Sequence, residues 1–280
     1  MKKYFILFAA TTIVLAAFSA TGCKKDDGPD PVEPSVLPVP PMADYAVKVD
    51  VTTLETPYIS FEATEGGRYI VGKADGTYAT GSYTFNDGVY SLQNFGKVVV
   101  SKTKADYTIL YLTFIPDGED EIKVEGTPAT QSTDDYTKDL CRLWEIKKTR
   151  ISLTDAVNVA AEFNGCDLNE IQEFITQYVD LKKKVPAGMN VTGVTFTSMS
   201  TYMIEYTAHP ADIGEWNWDS VSHSSLKYKW NKEDMGYEWE NGAAKIEYVE
   251  GHLIFSGSVD LKNNEKNYHV TVYMTMTPKQ

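Results

Sequence analysis

Alternation of apolar and polar residues, in short runs separated by turn dipeptides, is the feature that most restricts how this chain folds. The run Tyr268–Met276 has an apolar or aromatic residue at every second position, and Leu226–Trp230 alternates in the same way. A period of two directs successive side chains to opposite faces of a strand. Dipeptides such as Asp87-Gly88 tolerate the positive φ angles of tight hairpins. The pattern therefore predicts antiparallel hairpins.

Two regions of the chain carry this pattern. Residues 44–130 predict a smaller antiparallel β domain, and residues 131–280 predict a larger β domain. Repeated hairpins favour a meandering barrel or a strongly curved sheet, because closure removes unpaired strand edges. The predicted fold class is mainly β, with one or two short helices. Further strand and turn signals are Tyr58–Phe61, Tyr69–Val71, Gly88–Leu92, Lys97–Val100, Tyr107–Phe114, Asp75-Gly76, Asp117-Gly118, Asn241-Gly242, Glu250-Gly251 and Asn263-Asn264.

A short amphipathic helix is predicted near residues 167–183. Asp167 can cap its first turn, and Glu170 stands three residues later, as in a capping box. Apolar residues then recur at helical spacing, namely Leu168, Ile171, Phe174, Ile175, Tyr178 and Leu181. A second helix of two or three turns is expected over Thr154–Phe163.

The C-terminal half has the element order of a known type of domain. Leu143–Arg150 begins it, a helix follows, and a strand meander ends in Leu253–Phe255 and Tyr268–Val272. Over about residues 139–278 this order resembles the lipocalin-like domains of surface lipoproteins from gut bacteria. The family's opening Gly-x-Trp lacks its glycine here, because Arg142 stands at that position, and the helix comes early, so closure of the barrel stays open. The resemblance implies no particular ligand, because such folds share no fixed binding residue.

The N-terminus is typical of an export signal that ends at a cysteine. Lys2 and Lys3 precede an apolar run from Tyr4 to Phe18, which is too short to span a bilayer. Residues 1–22 are therefore predicted to be removed. The sequence just before Cys23 resembles the bacterial lipobox, which implies that this cysteine becomes the first residue and carries acyl chains such as palmitate. An ordinary signal peptide with a chance cysteine is the alternative.

Residues 23–43 are predicted to be a tether. Six of the 12 prolines fall here, and such segments act as extended, semi-rigid spacers. The charged run Lys24–Asp30 is similar to the signal that directs lipoproteins of anaerobic gut Gram-negative bacteria to the outer face of the outer membrane. A plain solvated linker is the alternative. We expect a lipid-anchored protein that faces the cell exterior.

Net charge restricts the partners of the mature chain. Without Lys2 and Lys3, the 26 Lys and Arg residues fall to 24 against 39 Asp and Glu, a net charge of −15. Such an excess repels phosphate backbones and anionic headgroups, so we expect no nucleic-acid partner.

Cys141 and Cys166 are the cysteines that remain after Cys23. Two interpretations stay open. They form one disulfide, as exported proteins can, or they are two small buried hydrophobic side chains.

The sequence contains no nucleophile elbow, zinc helix motif, P-loop or dinucleotide fingerprint. The four histidines stand apart in sequence, at His209, His223, His252 and His269. Acidic clusters at residues 117–121 and at Asp134-Asp135 lack the pattern of a calcium-binding loop, which favours solvated loops. We expect no enzymatic activity, no metal and no cofactor.

Aromatic residues give the strongest indication of function. Four of the five tryptophans lie between residues 216 and 239 and alternate with two tyrosines, so pairs of rings share a strand face. Such faces line an apolar pocket, form a platform for sugar rings, or fill a core. The candidate ligand-binding residues are Trp216, Trp218, Tyr228, Trp230, Tyr237 and Trp239.

These observations lead to two hypotheses of function. The first is a surface lipoprotein that binds a glycan or a small apolar molecule and delivers it to an outer-membrane transporter. The second is an accessory subunit of an outer-membrane assembly that docks through protein contacts and has no small ligand.

Overall fold

The computed structural model describes residues 45–102, 108–181, 185–219, 221–230, 241–263 and 265–279. The described chain divides into two units. The N-terminal unit runs to Leu143 and includes Thr195–Met199, and the C-terminal unit holds Trp144–Val194 and the residues from Ser200 onward. The mainly β fold class is confirmed, because the strands form two closed, eight-stranded antiparallel barrels.

The first barrel pairs its eight strands in sequence order and closes through the first and the last. Closure places Val49 opposite Pro128. Asp87 and Gly88 have φ angles of 49° and 80°, as predicted for a tight hairpin. The strands are β1 (Val47–Val51), β2 (Tyr58–Ala63), β3 (Arg68–Lys73), β4 (Tyr78–Asn86), β5 (Val89–Leu92), β6 (Gly96–Lys102), β7 (Leu110–Pro116) and β8 (Ile122–Pro128).

Aromatic rings fill the interior of this first barrel. Phe61 and Phe114 are fully buried, and Tyr58 stacks on Phe114 at 4.4 Å between ring centroids. The buried phenols have hydrogen-bond partners, since Tyr69 Oη donates to the Gln93 carbonyl and Tyr83 Oη donates to the Thr64 carbonyl, both at 2.8 Å. Period-two alternation thus produces a packed core here.

The second barrel follows a short helix and closes through its first and last strands, β9 and β17. Trp144 lies opposite Pro278 and Tyr268 opposite Asp155, so the question of closure is resolved along most of both strands. The elements are α1 (Asp135–Leu140), β9 (Leu143–Asp155), β10 (Val159–Asn164), α2 (Leu168–Thr176), β11 (Val191–Phe196), β12 (Thr201–Tyr206), β13 (Asp212–Trp218), β14 (Ser225–Trp230), β15 (Asn241–Val249), β16 (His252–Asn263) and β17 (Lys266–Pro278).

The helix expected over Thr154–Phe163 is wrong, because this segment contains the end of β9 and strand β10. Val159 pairs with Leu153 in an antiparallel hairpin, and Asp155 adopts a left-handed φ of 71°. Residues 159–164 alternate between half-buried and exposed, so the segment follows a period of two. The turn expected at Asn241-Gly242 is also wrong, since both residues begin β15.

Helix α2 confirms the helix predicted near residues 167–183 but ends earlier, at Thr176. Asp167 caps it, and its Oδ1 accepts hydrogen bonds from the backbone N–H groups of Asn169 at 2.8 Å and Glu170 at 3.3 Å. The helix packs its Phe174 edge-on against Phe163 of β10, at 6.2 Å. Its fully buried residues are Leu168, Ile171 and Ile175.

Candidate functional site

The predicted aromatic residues of β13 and β14 divide between the barrel interior and its rim. Trp216 and Tyr228 lie opposite each other on neighbouring strands, and each is only 3% exposed. Trp218 lies opposite Leu226 at the end of β13 and is half-buried. Trp230 ends β14, but its side chain, like all of Tyr237 and Trp239, lies outside the described residues.

The ring of Trp218 contacts two other rings edge-on. Its centroid is 5.4 Å from Trp216 with an interplanar angle of 89°, and 5.0 Å from His223 with an angle of 86°. Trp216 and Trp218 therefore share a strand face but do not form one flat platform. Perpendicular rings are a favourable aromatic geometry, so Trp218 is held in place by its neighbours.

The loop between β13 and β14 brings polar groups to Trp218. His223 adopts a left-handed φ of 54°, which is uncommon for a residue other than glycine. The hydroxyls of Ser222 and Ser224 lie 2.8 Å apart. The side chains of Ser222, His223 and Ser224 are all partly buried. We call Trp218, Ser222, His223 and Ser224 the rim site.

Hydrogen bonds from neighbouring strands fix the loop that carries the rim site. The N–H of Asp219 donates to the Ser225 carbonyl at 3.0 Å, and the N–H of Ile246 on β15 donates to the Ser224 carbonyl at 2.8 Å. The Asp219 carboxylate also pairs with Lys227 at 2.5 Å. Asp219 and Ser224, on either side of Ser222 and His223 in the chain, are therefore hydrogen-bonded to Ser225 and to β15.

Helix α2 and the rim site belong to opposite ends of the second barrel. Asn263 lies at the β16–β17 hairpin, and its Nδ2 donates to the carbonyl of Tyr178, two residues after α2 ends, at 3.0 Å. In an antiparallel meander, successive hairpins alternate between the two ends, so the β16–β17 and β13–β14 connections are opposite. The helix therefore lies at the end of the barrel opposite to Trp218.

The interior of the second barrel behind the rim site is packed. Tyr202 lies across Gly214, where an added Cβ atom would stand 2.5 Å from the tyrosine ring. The same ring meets Tyr228 edge-on at 6.4 Å. Tyr228 lies opposite Trp216, so large side chains occupy the barrel interior next to this tryptophan.

Cys141 and Cys166 are both buried free thiols. The structure therefore agrees with two small buried side chains and not with a Cys141–Cys166 disulfide. Burial raises the pKa of the Cys141 thiol well above its ordinary value. Burial also raises the pKa of Cys166, to about 12. A thiol with a raised pKa is a poor nucleophile at neutral pH, so neither cysteine has the character of a catalytic one.

Stability is expected to decrease at alkaline pH. Burial raises the pKa of Cys166 and of the Tyr90 phenol to about 12 each, from ordinary values of 9.0 and 10.0. The folded protein holds these two protons more tightly than the unfolded chain, so the stability that these two groups contribute is fully present below about pH 9 and is lost between about pH 9 and pH 12. Urea unfolding across this range measures the slope. Cys166→Ala combined with Tyr90→Phe should reduce the slope, and an unchanged slope would contradict the assignment.

The other histidines and acidic clusters lie apart from the rim site in sequence. His269 Nδ1 lies 2.6 Å from Asp260 Oδ1 on the outer face of the β16–β17 hairpin. The acidic residues Asp117, Glu119, Asp120 and Glu121 are exposed in the β7–β8 turn. Within the part of the chain that the structure describes, no group of three or more His, Cys, Asp or Glu side chains is arranged to hold a metal ion.

From the sequence, Trp218 was named as a candidate ligand-binding residue, but the polar residues of the rim site were not. Ser222 and His223 are adjacent in the sequence, but sequence alone does not show that they approach Trp218. That approach depends on the left-handed backbone of His223. A short polar segment between two alternating runs was the available signal for a loop of this kind.

Comparison of the chain with known protein families, with curated proteins and with solved structures finds no match. Among the described residues, no helix combines the length and the apolar character needed to cross a membrane.

Proposed function

We propose that this protein is a lipid-anchored lipoprotein of the outer cell surface and that its second barrel binds a glycan at the rim site. The observation that carries the proposal is the half-buried Trp218, held by Trp216 and His223 at the barrel end opposite to α2. An aromatic ring beside hydroxyl and imidazole groups suits a sugar, which presents both C–H faces and hydroxyls.

The packed interiors favour a glycan over an enclosed apolar molecule. Lipocalin-type binding of a small apolar ligand needs an internal cavity of several hundred cubic ångströms. Here Tyr202 meets Tyr228 edge-on inside the second barrel, Trp216 lies opposite Tyr228 on the neighbouring strand, and aromatic rings fill the first barrel. The net charge of −15 further favours a neutral glycan over an acidic one.

Trp218→Ala is expected to lower glycan affinity about tenfold, because an aromatic contact contributes about 1 kcal/mol or more. The measurement is tryptophan fluorescence of a chain that begins at residue 23 and carries Cys23→Ser, titrated with neutral polysaccharides and, separately, with fatty acids. A saturable shift with polysaccharide that Trp218→Ala removes supports the proposal. A shift with fatty acids alone would replace the glycan by an apolar ligand.

Two further variants separate binding from folding. His223→Gly removes the imidazole and its edge-on contact with Trp218, while glycine suits the φ of 54°, so it should weaken binding and change the free energy of unfolding by no more than about 1 kcal/mol. Tyr273→Ala removes a ring that is 38% exposed on the outer face of β17, and it should change neither property. Equal loss of binding in Tyr273→Ala would mean that exposed aromatic residues bind the probe unspecifically.

The membrane anchor has its own test. If Cys23 is the lipidated first residue, the mass of the native protein exceeds that of residues 23–280 by a diacylglycerol group and one or more acyl chains, and Cys23→Ser removes the whole excess. Mass spectrometry of the detergent-extracted protein measures this difference. A mature N-terminus with an unmodified Cys23 would contradict the anchor and leave a secreted protein.

An accessory subunit is the second function we propose, and the packed barrel interiors support it as well. Ile59 and Tyr111 are 47% and 48% exposed on the outer face of the first barrel, where a protein partner could cover them. A folded protein whose fluorescence responds to neither polysaccharides nor fatty acids would favour this function over the first.

A further inference from the structure

The aromatic core of the first barrel continues to the surface at one end. On β4, the inward positions Gly81 and Tyr83 are buried, and Phe85, the next position on the same face, is 38% exposed. Phe85 lies opposite Tyr90 on β5, and the two ring centroids are 4.6 Å apart. Tyr90 in turn meets the fully buried Phe61 at 5.1 Å. A continuous series of rings therefore connects the core to solvent.

Tyr45 ends this series. Its ring stacks on Phe85 at 5.3 Å, with only 24° between the planes, and meets Tyr83 edge-on at 6.0 Å. Its backbone is also fixed, because Tyr90 Oη donates to the Tyr45 carbonyl at 2.6 Å. Tyr45 is nevertheless 41% exposed. The core thus holds the ring of Tyr45 in one orientation at the surface. Because this side chain is already ordered, it loses little conformational entropy when a ligand binds.

We infer that Tyr45 and Phe85, here called the β4 platform, form a second binding site for a neutral sugar ring, on the first barrel. The exposed area of the two rings is on the order of 150 Å², given roughly 200 Å² for an aromatic side chain. A stable protein interface needs about 800 Å² from each partner, so this patch is too small for protein docking and matches one sugar ring.

The surroundings of the β4 platform agree with a sugar and not with an apolar ligand. Asp87 is exposed in the hairpin turn two residues after Phe85, so this end of the barrel carries a carboxylate. A carboxylate accepts hydrogen bonds from sugar hydroxyls. The same carboxylate and the net charge of −15 disfavour an acidic saccharide. This inference stands on the first barrel alone and does not depend on the rim site.

The test is affinity electrophoresis of the Cys23→Ser chain in native gels that contain soluble neutral glucan, xylan, mannan or galactan. Tyr45→Ala and Phe85→Ala are each expected to weaken retardation by the bound polysaccharide about tenfold. Tyr45→Ala keeps the backbone carbonyl that accepts from Tyr90, so the barrel is expected to stay folded, which near-ultraviolet circular dichroism checks. Tyr111→Ala is the matched control, since this tyrosine of β7 is 48% exposed on the outer face of the same barrel.

The outcomes at the two sites are distinguishable. Loss of retardation in Tyr45→Ala and Phe85→Ala, with Tyr111→Ala unchanged, supports the β4 platform whatever Trp218→Ala does. Retardation that Trp218→Ala removes and both platform variants retain would overturn this inference and leave the rim site standing. Absence of retardation by all four polysaccharides would overturn it as well.

Discussion

Trp144→Ala is expected to reduce the free energy of unfolding by about 3–5 kcal/mol. Trp144 is fully buried at the start of β9, opposite Pro278 of β17, where the second barrel closes. Removing the indole loses its buried apolar surface and leaves a cavity that closed strands cannot easily fill. Urea unfolding followed by circular dichroism measures the change.

Tyr273→Ala is the matched control for this variant. Tyr273 also belongs to the second barrel, but it faces outward from β17 and is 38% exposed. Its replacement should alter the free energy of unfolding by no more than about 0.5 kcal/mol. Similar losses in the two variants would mean that Trp144 does not occupy the barrel core.

Gly96→Ala is expected to destabilise the first barrel by about 3 kcal/mol or more. Gly96 begins β6 with a φ of 124°, a conformation that side chains other than glycine rarely adopt. An added Cβ would also lie 2.2 Å from the Ile115 carbonyl oxygen and 2.9 Å from the Asp117 nitrogen. Both neighbours are backbone atoms, so the clash can be relieved only by shifting β7 and its turn.

Gly118→Ala separates the two causes. Gly118 has a positive φ of 79°, but within the described structure no atom beyond its chain neighbours lies within 4 Å of an added Cβ. Its replacement should therefore cost only the backbone term, about 1–2 kcal/mol. Thermal unfolding of both variants gives the difference, and equal losses would show that the close approach of Ile115 does not matter.

Features that depend on local sequence were the predictable part of this fold. The hairpin at Asp87-Gly88 could be predicted because a tight turn needs positive φ angles and the flanking runs alternate. Helix α2 could be predicted because its cap, Asp167, and its regularly spaced apolar residues lie within one short segment of the chain. Such features require no knowledge of distant partners.

Features that depend on distant partners could not be predicted. The second barrel closes because β9 pairs with β17, which brings Trp144 opposite Pro278. These two residues are far apart in the sequence. Strand β10 contains two alanines that favour a helix, but pairing with β9 imposes an extended backbone on it. The burial of the tryptophans could not be predicted either. Trp216 and Trp218 share a strand face, but Trp216 is buried and Trp218, at the end of β13, is half-buried.

Barrel closure also affects whether copies of this protein associate at high concentration, because it removes unpaired strand edges. Among the described strands, β10 is the one that ends a sheet, and it offers six residues of backbone at that edge. Its Glu162 pairs at 2.5 Å with Lys148 of β9, which places charges on the strand pair. Unpaired edges are where β-proteins join into fibrils, and charges discourage that joining. We therefore expect this protein to stay dispersed as separate molecules at high concentration.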